Sequence, residues 1–186
     1  MIYKMAQVGL GTLYAMPCPL AEDLNEQLIR LKARGINRVI SLLEIDEARK
    51  LGVADEAELC RKHELGYENF PIRDFSTAAD PATFRSLVAK ISAQLVEGDN
   101  IVVHCYAGIG RTGILVGATL IENGFSAREA AEVMSSSRGK NMPQTQEQYE
   151  FLVDFETSRT QPATDEAKHS SSTRSGWWKS LFMKTP

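Results

Sequence analysis

The stretch from Asn100 to Asn123 constrains this chain more than any other. It reads as a short apolar strand (NIVVH, Asn100 to His104), a glycine-rich turn, and a helix from Thr112 to Asn123 that is apolar nearly all round and closes at Gly124. A helix without a polar face belongs at the centre of a fold rather than on its surface. A short apolar strand feeding such a helix through a tight turn is a building unit of layered α/β proteins.

The same alternation runs through the rest of the chain. Val8, Leu10, Leu13 and Tyr14, set between glycines, predict a short strand pair within residues 5–16. Leu24, Leu28, Ile29 and Leu31 recur at helical spacing until Gly35. Arg38 to Leu43 (RVISLL) predicts a buried strand, and Tyr67 to Ile72 the next one. Asp55-x-x-Glu58, Ser126-x-x-Glu129 and Thr145-x-x-Gln148 predict capping boxes opening three helices, the first ending near Gly66. Asp80-Pro81 places an N-cap before a proline at the first helical position, and Phe84, Leu87, Val88 and Ile91 continue that helix. The expected fold is α/β, a mostly parallel central sheet of about four to five strands flanked by helices. Its glycine-rich loop lies at a strand-to-helix junction.

Length and charge narrow the function classes. The chain's 186 residues fit one domain. A net charge of -3 and a pI near 5.7 argue against a general nucleic-acid binder, which needs a basic face. No stretch approaches the ~20 apolar residues of a membrane span, and Met1 to Pro19 lacks the basic-then-apolar layout of a signal peptide. Cys18, Cys60 and Cys105 are odd in number and far apart, which fits neither a disulfide framework nor a CxxC metal site and points to a reducing, cytoplasmic setting. From about Thr157 the composition turns small and polar, before Trp177, Trp178, Leu181 and Phe182 return beside Lys179 and Lys184. The expected division is a folded domain over 1–158 and a flexible tail over 159–186. Its aromatic-basic tip is of a kind that docks on a membrane surface or a protein partner, or folds back on its own domain.

The chemistry is concentrated in His104-Cys105-Tyr106-Ala107-Gly108-Ile109-Gly110-Arg111-Thr112-Gly113. In a parallel sheet that junction is the carboxyl edge of a strand, where ligands bind. Its glycines let successive N–H groups from Tyr106 to Gly110 converge on one anion, and the following helix adds the positive end of its dipole. Arg111 returns a planar fork able to hold two oxygens of the same anion. An ordinary thiol ionises near pH ~8.5, and helix N-termini with neighbouring cations lower this to roughly 3.5–7.5. Cys105 is thus expected to be a nucleophile at neutral pH, with the Thr112 hydroxyl hydrogen-bonded to the thiolate and His104 bracing the loop.

Thiolate attack on a phosphate monoester further needs a proton for the leaving oxygen and a water aimed at the cysteinyl-phosphate. Asp74, in PIRDF, lies 31 residues before Cys105 on an adjacent carboxyl-edge loop and can reach the same pocket. Gln144, just before the last helix, is placed to orient the water.

HCxxGxGRTG with an upstream PIxD and a downstream QTxxQYxF resembles the cysteine-dependent protein phosphatases of the dual-specificity branch, most of all the cyclin-dependent-kinase-associated phosphatases, which share the HCYxGxGR form. The resemblance runs from about Val8 to Phe155. It implies a cysteinyl-phosphate intermediate on Cys105, with Arg111 as phosphate binder, Asp74 as general acid, Gln144 as water positioner and neither metal nor cofactor. It implies a phosphoprotein substrate, with a shallow cleft that accepts phosphotyrosine and phosphoserine/threonine, because the loop that deepens the pocket of strict phosphotyrosine enzymes is lacking. Tyr106 and Ile109 stand where the tensin-homologue phosphoinositide phosphatases carry lysines, which disfavours highly phosphorylated inositol lipids.

Other readings compete for these residues. Gly108 to Gly113 also matches the dinucleotide-binding G-x-G-x-x-G, but no strand ending in an acidic residue follows at the required distance. The same chemistry on RNA 5′-phosphates or inositol phosphates, or a phosphate-binding module without turnover, would use the same loop. Cys18 and Cys60 read as structural thiols, Asp80 and Gln148 as caps, and His63 and His169 as solvated. Arg73, Arg138 and Lys140 either rim the cleft or belong to the solvated surface.

Overall fold

The computed structural model describes residues 1–160. The tip residues Trp177, Trp178, Leu181 and Phe182, and His169, lie outside the described residues. Strands β1 (Tyr3–Val8) and β2 (Gly11–Met16) form an antiparallel hairpin, and a single 3-10 turn at Ala21–Asp23 leads into α1 (Leu24–Ala33). There follow β3 (Arg38–Ser41), α2 (Ile45–Lys50), α3 (Glu56–Lys62), β4 (Gly66–Asn69), α4 (Pro81–Glu97), β5 (Ile101–His104), α5 (Gly110–Glu122), α6 (Ala127–Arg138) and α7 (Gln146–Thr160). The sheet has five strands in the order β1-β2-β5-β3-β4, and all pairings beyond the first hairpin are parallel. The expected α/β architecture is the one found.

Strand alternation divides the core into two layers. Leu13, Ala15, Ile40, Leu42, Ile101 and Val103 face a cluster completed by α4, α5, α6 and α7. Met16, Val39, Leu43 and Val102 face the opposite cluster, built with Leu24, Leu28 and Leu31 of α1 and Cys60 of α3. The apolar helix α5 lies inside the first layer, with every residue from Gly110 to Ile121 buried.

The strand register brings four chain ends level. Met16 and Ser41 both pair with His104, and Ser41 with Asn69, so the four parallel strands end along one line. The segments leaving that edge carry Cys18, Cys105, Glu47 and Asp74. This is the edge at which ligands collect in open parallel sheets.

Several elements differ from the sequence-based expectation. RVISLL and the run to Ile72 leave the ladder after Ser41 and Asn69, although Ile72 N–H still donates to Leu42 C=O (3.1 Å). Asp55 supplies no side-chain cap to α3. The box forms instead at Glu44 and Glu47, on a six-residue helix α2 with no buried residue and hence no apolar periodicity to betray it. The boxes at Ser126/Glu129 and Thr145/Gln148 form as expected, as does the Asp80 cap, which accepts from Ala82 N–H at 3.0 Å. Helix α5 begins at Gly110, two residues early, and α7 continues to Thr160.

Candidate active site

The glycine-rich loop is held from three sides. β5 fixes its start. On the β2 side, Cys18 N–H donates to Tyr106 C=O (2.9 Å). Gly108 has φ +67°, and a Cβ there would lie 2.2 Å from the Met16 carbonyl oxygen, so only glycine lets the loop rest on the end of that strand. On the α6 side, Arg138 donates to Ala107 C=O (3.2 Å) while its guanidinium stacks 4.1 Å over the Tyr3 ring. Arg73 and Lys140 are exposed.

The loop ends in α5, which opens on Ile109 without a side-chain cap, and its first helical bond is Gly113 N–H to Ile109 C=O (2.9 Å). The N–H groups of Gly110, Arg111 and Thr112 therefore have no intrahelical acceptor. Cys105, 3% exposed, lies at the head of this turn.

Arg111 is the most connected side chain of the site, and only 1% exposed. Its Nη1 and Nη2 donate to Glu47 Oε2 and Oε1 (2.6 and 2.8 Å), Nη1 also to Ile72 C=O (3.1 Å), and Nη2 lies 3.1 Å from Asp74 Oδ1. Nε is buried without a hydrogen-bond partner among the described residues. Burial works against the charge of Arg111, but Glu47, Cys105 and Asp74 outweigh it and hold the group still more firmly as a cation. Reciprocally, the Arg111 hydrogen bond pulls the Glu47 carboxyl below the usual range.

Asp74 thus stands where the sequence placed it, on the loop after β4 and against Arg111. Asp80 is taken up by the α4 cap, accepting from Ala82 N–H and the Thr83 hydroxyl. Two glutamines lie over the start of α5: a Cβ on Gly110 would be 2.9 Å from Gln148 Oε1 and 3.2 Å from Gln144 Oε1. Gln144 is exposed. Gln148 does more than cap α7: it is fully buried, and its Nε2 donates to Ser76 C=O (3.2 Å), two residues beyond Asp74.

His104 braces the loop, with Nε2 3.1 Å from Glu56 Oε2 and Nδ1 3.4 Å from Cys105 C=O. The hydrogen bond expected between Thr112 and the Cys105 sulfur is not formed. With α5 starting at Gly110, Thr112 sits inside the first turn rather than at its lip, and its hydroxyl is buried without a partner among the described residues. Burial, reinforced by Glu56, pushes the thiols of Cys18 and Cys60 up to about 12, which leaves them weak nucleophiles. His63 is not merely solvated; its Nε2 meets Asn25 Oδ1 at 2.8 Å.

Sequence reasoning missed Glu47, Glu56 and the Arg138 brace. For Glu47 a signal existed, an acidic residue just past a strand's carboxyl edge. Glu56 carried none, since nothing in its neighbourhood marks a glutamate that turns inward.

Exposed apolar side chains flank the site residues in the chain. Ile45, Phe75 and Tyr106 are 63%, 57% and 58% exposed, each within two residues of Glu47, Asp74 or Cys105. Tyr106 also borders a cavity of about 730 Å³ shared with Pro17, Cys18, Leu20 and Leu51.

Comparison with known proteins finds similar sequences and a shared fold. Cyclin-dependent kinase inhibitor 3 of Rattus norvegicus is 25% identical over 135 residues, 72% of this chain, and the chain spans only 63% of that relative's length. Tyrosine-protein phosphatase CDC14 of Saccharomyces cerevisiae is 37% identical over 73 residues, covering 37% of this chain and 13% of the yeast protein. The fold matches that of kinase associated phosphatase with its catalytic-site cysteine replaced by serine (TM-score 0.73, 22% identity, 84% of this chain and 93% of the other). It also matches Tk-PTP in its active form (TM-score 0.64, 26% identity, 83% and 97%). The family model "polymorphic toxin system, DSP-PTPase phosphatase" matches residues 15–125. That match exceeds half the chain and runs from β2 through α5, past Glu47, Asp74, Cys105 and Arg111, and by it this protein belongs to the DSP-PTPase phosphatase family.

Proposed function

We propose that this domain hydrolyses phosphate monoesters of phosphoproteins, on tyrosine and on serine or threonine, through a cysteinyl-phosphate on Cys105. The observation that carries the reading is the convergence on Arg111: a buried guanidinium with one N–H unpartnered among the described residues, the Asp74 carboxylate 3.1 Å from Nη2, and Cys105 among the groups acting on its charge.

In the first step the substrate phosphate settles on the N–H groups of Tyr106 to Gly110 and on Arg111. It takes over the Nη2 contact from Asp74, which frees that carboxyl for proton transfer to the leaving oxygen. The Cys105 thiolate attacks phosphorus, the S–P bond forms as the P–O bond to the leaving group breaks, and Asp74 gives its proton to the leaving oxygen. In the second step Gln144 aims a water at phosphorus, Asp74 takes its proton, and the S–P bond breaks to release inorganic phosphate and the thiolate. The chemistry requires Cys105 as a free thiol, in keeping with a reducing, cytoplasmic setting.

The exposed Ile45, Phe75 and Tyr106 favour a protein substrate over a small polar phosphoester, because a peptide can cover apolar side chains around its phosphoresidue. The test is acid quench during turnover of an aryl phosphate, followed by peptide mapping. Phosphate covalently on Cys105 is the expected result; reversible phosphate binding with no turnover would identify a binding module instead. A panel of phosphotyrosine, phosphoserine and phosphothreonine peptides, inositol phosphates and RNA 5′-ends then assigns the substrate class.

A further inference from the structure

His104 and Glu56 form a buried pair that the two hydrolytic steps leave unused, their side chains 0% and 2% exposed. Nε2 of the ring is hydrogen-bonded to Glu56 Oε2 at 3.1 Å and lies 3.0 Å from Oε1, which is buried and has no hydrogen-bond partner among the described residues. Nδ1 lies 3.4 Å from the Cys105 carbonyl oxygen. A carbonyl oxygen only accepts, and so does an ionised carboxylate. With Glu56 ionised, both ring nitrogens face acceptors, and a ring protonated twice is the assignment that satisfies both.

The surroundings call for that charge. A carboxylate so far from water needs a counter-ion. The other titratable groups facing the pair supply none. Tyr67 from β4, Cys60 from α3 and Cys18 after β2 are all pushed up to about 12 and stay neutral. Glu47 from α2 is an anion, and Arg111 from α5 is already engaged by Glu47 and Asp74.

We propose that Glu56 is a positioning residue for Cys105, keeping His104 doubly protonated so that Nδ1–H holds the cysteine carbonyl and a cation stands directly behind the sulfur. The proposal rests on Cys105 being the nucleophile. Glu56 touches neither substrate nor sulfur, and acts only through the ring.

The pH dependence of Cys105 carbamidomethylation by iodoacetamide, followed by peptide mass spectrometry on the full chain, tests this. In Glu56→Gln the neutral amide cannot serve as counter-ion, and the alkylation midpoint is expected to rise. At pH values below the midpoint Cys105 would react about tenfold more slowly than in the unmodified protein, equivalent to one unit of midpoint. Glu56→Asp should recover part of the rate. An unchanged profile in Glu56→Gln, with only stability lowered, overturns the proposal. Should that variant fail to fold, the ring nitrogens of the unmodified protein decide by 15N NMR: two N–H groups on His104 at neutral pH support it, one overturns it. An unmodified Cys105 that alkylates like an ordinary thiol refutes the nucleophile reading itself, and the role of Glu56 falls with it. A fast wild-type Cys105 unaffected by Glu56→Gln refutes only the latter.

Discussion

Glu47 holds Arg111 with both carboxylate oxygens, at 2.6 and 2.8 Å, and at 3.4 Å accepts from the Glu44 backbone N–H that starts its own helix. One side chain thus fixes the phosphate-binding fork and ties it to α2. The guanidinium plane is set before any ligand arrives, which lowers the ordering cost of binding a phosphate.

Glu47→Gln is therefore expected to replace the charged, two-pronged hold on Arg111 by a single neutral hydrogen bond, leaving the contacts with Ile72 and Asp74. Lost alignment of the fork should reduce kcat/KM roughly 10- to 100-fold, and orthophosphate should inhibit more weakly. Stability should fall by about 1.5–3 kcal/mol, the range for hydrogen bonds to charged groups. The pH dependence has a definite sign. The folded-state Glu47 carboxyl ionises below its unfolded value of ~4.3, so its contribution is complete above that pH and is lost as pH falls through the folded value. Urea titrations should show the gap between wild type and Glu47→Gln closing between neutral and strongly acid pH. A gap independent of pH would show that the carboxylate's charge is not the source.

Asp74 and Asp80 offer a paired comparison, six residues apart and differently engaged. Asp74→Asn should reduce turnover by roughly 10²–10⁴, the span of general acid catalysis, with the largest loss for poor leaving groups. Asp80→Asn removes a carboxylate whose bonds run to Ala82 and Thr83. Asparagine caps about as well as aspartate, so turnover and stability should both stay near wild type. Steady-state rates on aryl phosphates of graded leaving-group acidity separate the two. Loss of turnover in Asp80→Asn alone would reassign the acid.

Mild peroxide should oxidise Cys105 ahead of the other cysteines. Cys18 and Cys60, with thiols pushed up to about 12, stay protonated at neutral pH and react slowly. Activity should return with added thiol, since a sulfenic acid is reversible, and phosphate should protect by filling the loop. Mass spectrometry after brief exposure reads the site. Oxidation mapping first to Cys18 would contradict a thiolate at Cys105.

How much of the fold and site was readable from residue order depends on the range of the interaction. The strand-loop-helix unit around Cys105 was legible because its signals are local: an apolar strand, two glycines and an apolar helix lie within one short segment. Asp74 was legible because a strand end and a turn place it on the same sheet edge. Glu47 and Glu56 were not, since each meets its partner across 64 or 48 residues, and only the sheet order β5-β3-β4 makes them neighbours. Helix α2 escaped for another reason. With no buried residue it has no apolar period, and its helical form follows from the Glu44–Glu47 cap and the contact with Arg111.

Gly108 gives the most direct test of the loop as a phosphate cradle. A methyl group there would sit 2.2 Å from the Met16 carbonyl oxygen, 2.5 Å from its carbon and 2.7 Å from the Pro17 nitrogen, all of them backbone atoms at the end of a sheet strand. That strand has little room to yield, because Cys18 N–H is tied to Tyr106 C=O on the same loop (2.9 Å). The φ of +67° adds a left-handed conformation that costs alanine on the order of 1 kcal/mol. The loop must therefore move outward in Gly108→Ala, taking its N–H groups off a common centre. Activity should fall at least tenfold and orthophosphate inhibition should weaken with it, while the Tm drops by several degrees, at roughly 2–4 °C per kcal/mol for a domain of this size. If Gly108→Ala binds orthophosphate as tightly as wild type, the backbone from Tyr106 to Gly110 is not what holds the anion.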